Sequence, residues 1–237
     1  MAGLMEGFAA TLGWKICKCN VIVEGTSDVA LLWLAAALHH EKFGSAILGD
    51  HISILAAGKG DDGGVDGLNR RLNAARQIAD ADRGPDGELR YRFMGLYDND
   101  RAGRRGIQNA CNFDRRLLPY LDLFLLHPVM PLASGADHAE LRRRFENQNS
   151  AFKGCDWEIE DFLSERLLVA FESARPSAIQ GTRECGGRKH REFTRDGKFE
   201  LHRFARDNCT LDDLIEVVRL IRALRDYNRL QIDHVRC

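Results

Sequence analysis

Several features that mark other protein classes are missing from this sequence of 237 residues. No apolar run reaches the roughly 18 to 20 residues that a membrane-spanning helix needs, so we predict no association with a membrane. Residues 1–14 lack the basic segment and the cleavage site of a signal peptide. We therefore expect the protein in the cytoplasm.

Cysteine and charge patterns exclude further classes. The seven cysteines are odd in number and include no CxxC pair, so they predict neither a zinc framework nor the disulfide framework of a secreted protein. The net charge of -1 excludes a generally basic nucleic-acid-binding protein but permits a local basic surface. There is no internal repeat, no low-complexity segment and no Walker A motif. We therefore predict a globular chain without an ATPase site of its own.

Apolar strands alternate with amphipathic helices in the first half of the chain. Strands are predicted at 20–24, 51–56, 92–97 and 121–126, and helices at 27–41, 65–81 and 102–118. This alternation is typical of a doubly wound sheet. For residues 1–135 we predict an α/β fold: a mostly parallel, Rossmann-like, four-stranded sheet flanked by helices.

The pattern changes in residues 136–237, which we interpret as an α-helical and basic appendage. A helix is expected from Asp156 or Trp157, an irregular basic stretch from Gly181 to Arg206, and a final helix from Thr210. This part has too little core for independent folding. We therefore expect it to pack on the sheet and to complete the active site.

Two of the predicted strands end in carboxylates. The first leads into Glu24, with Asp28 four residues further on, and a later strand leads into Asp98 and Asp100. Parallel sheets bind ligands at the carboxyl ends of their strands. Two unit charges about 4 Å apart repel by roughly 4 kcal/mol at an effective dielectric of 20. Mg²⁺ relieves such repulsion and prefers carboxylates together with substrate phosphates, so the sequence predicts a metal site that handles phosphate.

The order and spacing of the segments 21–28 and 95–103 resemble the Toprim domain of topoisomerases, primases and related nucleases. In that family a glutamate ends one strand, and an Asp-x-Asp motif, often followed by Ala-Gly, ends a later one. Glu24 matches the first motif, and Asp98 and Asp100 match the second. The Asp-Arg-Ala-Gly-Arg sequence that begins at Asp100 is close to the primase version. The resemblance covers about half of the chain and implies a Toprim-like fold.

Further matches are similar to the nuclease branch of this family. Asp28 stands where nucleases of the overcoming-lysogenization-defect (OLD) family, and related anti-phage nucleases, carry a second metal-binding acid. The glycine-rich segment 58–60 also resembles theirs, and 157–162 resembles an acidic helix that follows their Asp-x-Asp strand. The acids of that segment are Glu158, Glu160 and Asp161. The family also places a phosphate-contacting lysine in a later loop, for which Lys198 is the candidate.

The resemblance implies a role for each of these residues. Asp98 and Asp100 would hold one Mg²⁺ or Mn²⁺, and Glu24 would share that ion or act as general base. Asp28 would hold a second ion together with Glu160, Glu158 or Asp161. Lys198 would neutralise charge that develops on the phosphate in the transition state.

The implied activity is hydrolysis of phosphodiester bonds in DNA or RNA. Arginines between residues 183 and 206 would contact the nucleic-acid backbone with little sequence readout. Related nucleases often work with an ABC- or SMC-like ATPase, so the resemblance implies an anti-phage effector that a separate ATPase gates. The choice of DNA or RNA and the oligomeric state are left open by the sequence.

Other interpretations of these motifs remain. Glu24 could cap the following helix, and the Asp98–Asp100 segment could form an ordinary solvated turn. Gly58, Gly60 and Gly63 fit a dinucleotide fingerprint, although the two aspartates between Gly60 and Gly63 would face a pyrophosphate. A different function class is a non-catalytic module that binds nucleic acid or nucleotides on a degenerate Toprim fold.

Overall fold

A computed structural model describes residues 3–58 and 62–232. The first half of the chain contains the helices α1 Leu4–Thr11, α2 Thr26–Phe43, α3 Gly64–Ala81 and α4 Arg101–Phe113, and the strands β1 Cys19–Val23, β2 Ile52–Ala56, β3 Arg92–Tyr97 and β4 Leu123–Leu125. Each strand and helix predicted in this half is present. Helix α1 was not predicted, and α4 ends at Phe113, five residues before the predicted end at 118.

The four strands form one parallel sheet in the order β2-β1-β3-β4. Strand β1 pairs with β2 on one side and with β3 on the other, where Ile22 lies opposite Gly95. After β1 the chain therefore continues to one edge of the sheet, at β2, and after β3 it continues to the other edge, at β4. Such a switch point leaves a crevice at the carboxyl ends of the two strands. The α/β class with a parallel sheet flanked by helices is confirmed.

Alternating side chains of the strands bury both faces of the sheet. Val21 and Val23 enter a core shared with α2, whereas Ile22 enters a second core shared with α1, α3 and α4. Burial on both faces explains why the strands are almost continuously apolar. It also leaves the strand ends as the place where the sheet can present polar groups.

The second half of the chain extends the core on the α2 side. It contains the helices α5 His138–Gln148, α6 Glu165–Ala174, α7 Arg195–Asn208 and α8 Ile215–Tyr227, and the antiparallel strands β5 Ile179–Cys185 and β6 Arg188–Phe193. Val217 and Ile221 of α8 are fully buried in the same core as Val21 of the sheet. Among the described residues, no helix combines the length and the apolar character needed to cross a membrane.

The helix expected from Asp156 or Trp157 is broken into two elements, so that prediction was wrong. A single 3-10 turn spans Ile159–Phe162, and the chain is extended at Leu163 before α6 begins. Ser164 causes the restart, because its hydroxyl accepts a hydrogen bond from the Leu167 amide at 3.1 Å. An N-cap of this kind starts a new helix, and the acids before it therefore lie outside a regular helix.

The expectation of an irregular stretch from Gly181 to Arg206 was also wrong. Residues 179–193 form a β-hairpin whose turn uses Gly186 and Gly187 at positive φ angles of 54° and 79°. Helix α7 follows directly, because the Thr194 hydroxyl accepts a hydrogen bond from the Gly197 amide at 2.8 Å. The many basic residues obscured this hairpin and helix in the sequence.

One disulfide was not expected from the cysteine pattern. Cys155 and Cys185 are bonded, with their Cα atoms 6.1 Å apart. The bond ties the segment before the 3-10 turn to the tip of the β-hairpin. A pairing across 30 residues depends on tertiary placement, so the spacing of the cysteines could not indicate it.

Candidate active site: an acidic cleft

The carboxylates of Glu24 and Asp98 come together because β1 and β3 are neighbours in the sheet. Each residue directly follows the last residue of its strand. The backbone amide of Asp98 donates a hydrogen bond to Glu24 Oε1 at 3.2 Å. The two acidic motifs, 74 residues apart in the chain, thus meet at the switch point of the sheet.

Asp28 joins this pair from the first turn of α2. Its Oδ2 atom accepts a hydrogen bond from the Gly25 amide at 2.9 Å, which fixes the turn between β1 and the helix. A carboxylate at this position also interacts favourably with the helix dipole. A cleft of about 250 Å³ opens here, and its charged lining residues are Glu24, Asp28, Asp98, Glu160 and Lys198.

A short backbone bridge brings the second half of the chain to the cleft. The Asn99 amide donates to the Trp157 carbonyl at 2.8 Å, and the Trp157 amide donates to the Asn99 carbonyl at 3.2 Å. Arg104 supports the bridge by donating to the Asn99 carbonyl at 2.9 Å and to Asp156 Oδ1 at 2.8 Å. The acids that follow Trp157 are therefore held beside the end of β3.

Glu160 and Lys198 meet inside the cleft. The ammonium of Lys198 lies 2.9 Å from Glu158 Oε2 and 3.9 Å from Glu160 Oε2. The other oxygen of Glu160, Oε1, lies 3.0 Å from His202 Nε2. His202 was missed in the sequence. Its signal was the four-residue spacing from Lys198, which places both side chains on one face of α7, but the helix itself was not predicted.

Three other predicted site residues have different surroundings. Asp100 caps α4, since its Oδ1 accepts a hydrogen bond from the Gly103 amide at 2.6 Å. Glu158 lies at the margin of the cleft in its ion pair with Lys198. Asp161 is turned away and buried against His190, whose Nδ1 lies 2.8 Å from Asp161 Oδ2. Among the three acids of this segment, Glu160 is the one that lines the cleft.

Burial and mutual repulsion make the cleft carboxyls hard to ionise. Burial raises the pKa of Glu24 to about 7, and the charges of Asp28 and Asp100 contribute. Burial, followed by the charge of Glu160, raises the pKa of Asp28 to about 6. The pKa of Asp98 lies well above its ordinary value, again through burial and then through the neighbouring acids. These pKa values indicate a site with an excess of carboxylate over cation.

Glu160 and Lys198 form the charged pair on the opposite wall. Burial alone would raise the pKa of Glu160, but the hydrogen bond from His202 and the charge of Lys198 lower it to about 2. Burial alone would lower the pKa of Lys198, yet the charges of Glu160, Glu158 and Asp98 raise it above the ordinary lysine value. Lys198 is therefore a fixed cation in an otherwise acidic cleft.

The cleft side chains are of the chemical type that binds divalent cations, although they are not arranged in the geometry of a bound ion. Within residues 3–58 and 62–232, no group of three or more His, Cys, Asp or Glu side chains is arranged so that it could already hold a metal ion. The donors are nevertheless all carboxylates, which Mg²⁺ and Mn²⁺ prefer. Glu160 Oε2 is buried and makes no hydrogen bond with a described residue. That oxygen, whose nearest charged neighbour is the Lys198 ammonium at 3.9 Å, is the cleft atom best suited to bind a cation.

The glycine-rich loop after β2 lies against Glu24. The Gly64 amide donates to the Glu24 carbonyl at 3.1 Å, and a Cβ atom on Gly63 would come within 2.9 Å of the same oxygen. Gly63 is thus needed for close backbone packing at the cleft. The central residues of the motif, Lys59 and Gly60, lie outside the described residues.

The arginines between 183 and 206 differ in how far they are exposed. Arg191 is 1% exposed and holds Glu165 and Glu172 in ion pairs at 2.5 and 3.2 Å. It therefore stabilises the packing of β6 on α6 and cannot contact a ligand. Arg203 and Arg206, in contrast, are exposed on α7 close to the cleft.

Comparisons with known proteins do not identify a family for this chain. A scan against models of protein families found no match, and searches of curated proteins and of solved structures found no similar protein.

Proposed function

We propose that this chain is a metal-dependent phosphodiesterase that cleaves nucleic acid at the acidic cleft, on a Toprim-like fold. The observation that carries the proposal is the meeting of Glu24 and Asp98 at the switch point between β1 and β3. The raised pKa values of Glu24 and Asp28 support it, because a bound cation would offset the burial and the mutual repulsion that raise them.

Two divalent ions would be held by separate groups of ligands. Asp98, Asp100 and Glu24 would bind the first ion, and Asp28 with Glu160 would bind the second. Bound ions of this type supply an activated water and stabilise the leaving oxygen in phosphoryl chemistry. Glu24 has the alternative role of general base: without a bound ion its pKa is about 7, which suits its carboxylate to accept a proton from the attacking water near neutral pH.

Lys198 would contact the phosphate of the substrate. Its ammonium is held in the cleft by Glu158 and Glu160, so it is ordered before a substrate arrives. A preorganised cation lowers the energy of a transition state in which negative charge grows on the phosphate oxygens. Glu158 would act as the residue that positions Lys198, and Asp161 as a structural partner of His190.

The wider biological setting is proposed by analogy with the nucleases that the sequence resembles. An anti-phage effector in the cytoplasm, gated by a separate ABC- or SMC-like ATPase, fits a chain that lacks a Walker A motif. The alternative function is a non-catalytic module that binds nucleic acid or nucleotides. The two functions differ in whether the cleft carboxylates are needed for bond cleavage.

Cleavage of labelled DNA and RNA, single-stranded and duplex, with MgCl₂ or MnCl₂ tests the proposal. We expect Glu24→Gln and Asp98→Asn to lower the cleavage rate at least about 100-fold, because each removes one charge from the ligand set. Both substitutions keep the size of the side chain and its capacity to accept hydrogen bonds.

Matched controls come from exposed acids away from the cleft, Glu88→Gln and Asp212→Asn. These variants should cleave at the wild-type rate. Wild-type protein that cleaves no probe with either metal, or a Glu24→Gln variant as active as the wild type, would reject the catalytic role and favour the binding module.

A further inference from the structure

A second cavity lies directly beside the acidic cleft, between α2 and α7. Its volume is about 560 Å³. Thr26 and Ser27, at the start of α2, line both the cavity and the cleft. His202 also lines the cavity while its Nε2 atom contacts Glu160 of the cleft. The cavity is therefore a groove that leads away from the proposed cleavage site.

Two aromatic side chains line this groove from opposite helices. Trp33 on α2 is 39% exposed, and Phe199 on α7 is 74% exposed. Large aromatic side chains are more often buried in the core. Two exposed rings that line one groove beside a polar site indicate a binding surface. Flat aromatic rings of this kind stack on unpaired nucleobases.

The same helix face carries positive charge at helical spacing from Phe199. Arg203 and Arg206 follow it by four and seven residues and line the groove. Within residues 3–58 and 62–232, Arg203 forms no ion pair, and Arg206 is paired with the exposed Asp207 at 3.3 Å. Nearby Glu200 is directed to Arg175 at 3.5 Å. The groove thus combines aromatic rings with exposed guanidinium groups.

We propose that this groove binds a single strand of nucleic acid next to the phosphate that is cleaved. Bases would stack on Phe199 and Trp33, and backbone phosphates would contact Arg203 and Arg206. In a duplex the base faces are already stacked on one another, so the aromatic groups favour an unpaired strand. The inference rests on the proposed function, since it names the substrate class for the same site.

Binding is measured separately from cleavage by fluorescence anisotropy. The probes are a labelled oligothymidylate, a labelled oligouridylate and a mixed-sequence DNA duplex, with CaCl₂ in place of MgCl₂ and with probe integrity checked on a gel. We expect Phe199→Ala and Arg203→Glu to weaken single-strand binding roughly tenfold. Phe199→Tyr, which keeps the ring, should bind as the wild type does, and the duplex should bind more weakly than either single strand.

Exposed residues at the carboxyl end of α4 supply matched controls. Phe113 is 72% exposed, and Arg115 is also exposed; both lie near the end of α4 that is remote from the cleft. Phe113→Ala and Arg115→Glu should leave the Kd within about twofold of the wild-type value. Thermal unfolding of each variant establishes that it is folded. We expect all of the variants to fold, because the substituted side chains are exposed.

The outcomes separate this inference from the proposed nuclease activity. Groove-dependent binding without cleavage by the wild type would support the groove and reject the nuclease. Cleavage with unchanged single-strand binding in both Phe199→Ala and Arg203→Glu would overturn the groove and leave the nuclease standing. A wild type that binds no single strand, or that binds the duplex better, would also overturn the inference and assign the groove to another occupant, such as a second copy of the chain.

Discussion

Glu24 combines two properties that conflict in the absence of a cation. Its side chain is half-buried beside other acids, and it accepts a hydrogen bond from the Asp98 amide. The ordinary pKa of 4.5 is raised to about 7 in the folded protein, mainly by burial. Between these pH values the folded state holds a proton that the unfolded state has lost. The contribution of Glu24 to stability therefore falls as the pH rises through this window.

Replacement of Glu24 by Gln should remove this pH dependence. At pH 5 the folded wild type already carries a neutral Glu24, so the two proteins should unfold at similar temperatures. At pH 8 without metal, we expect the Tm of Glu24→Gln to exceed that of the wild type by about 2–5 °C. The measurement is thermal unfolding, followed by circular dichroism, at both pH values.

Added MgCl₂ makes this test specific for the cleft. At pH 8 the ion should raise the Tm of the wild type more than that of Glu24→Gln, because a ligand that binds more tightly to the folded state stabilises it more. Glu88→Gln is the control and should follow the wild type throughout. A Glu24→Gln variant that is less stable than the wild type at pH 8 would show that Glu24 has a purely structural role.

At the scale of elements, α4 determines how the Asp-x-Asp motif is presented. The helix begins at Arg101, directly after the cap formed by Asp100. A Cβ atom on Gly103 would lie 1.9 Å from the Asp98 carbonyl oxygen. Only glycine permits this approach of the helix to the strand end. The glycine of the Ala-Gly sequence that follows the Asp-x-Asp motif is thus required on steric grounds in this structure.

Gly103→Ala should push α4 away from the end of β3. We expect a loss of about 1–3 kcal/mol in the free energy of unfolding, measured by urea denaturation, because the added methyl group overpacks a rigid contact. Cleavage should fall as well, since Asp98 and Asp100 would shift. Gly7→Ala is the matched control, because a Cβ atom there meets nothing within 4 Å and alanine favours a helix. Equal stability of Gly103→Ala and the wild type would contradict the steric account.

The elements also show what sequence patterns could and could not predict. The apolar strands ending at Glu24 and Asp98 were predictable, because burial on both sheet faces requires continuous apolar residues. The 3-10 turn at Ile159–Phe162 was not, because its shape depends on the bridge between Asn99 and Trp157. Helix α7 was obscured by its charges, so Lys198 was predicted in a loop although it lies in the first turn of that helix.

At the scale of the whole molecule, the cleft is built by both halves of the chain. The first half supplies Glu24, Asp28 and Asp98, and the second half supplies Glu160 and Lys198. The fold class follows from local periodicity, whereas this junction depends on contacts between residues far apart in sequence. His202 and the orientation of Asp161 toward His190 belong to the same category. Neither contact could be predicted from the sequence, because both depend on how distant segments of the chain pack together.

The central claim is that the acidic cleft between β1 and β3 holds catalytic divalent cations. X-ray diffraction from crystals grown with MnCl₂ tests it most directly, because manganese is located by its anomalous scattering. We predict at least one manganese peak bound by the carboxylates of Glu24, Asp98 and Asp100, and the loss of that peak in Asp98→Asn crystals. Manganese bound elsewhere, or a cleft without a peak at saturating MnCl₂, would contradict the claim.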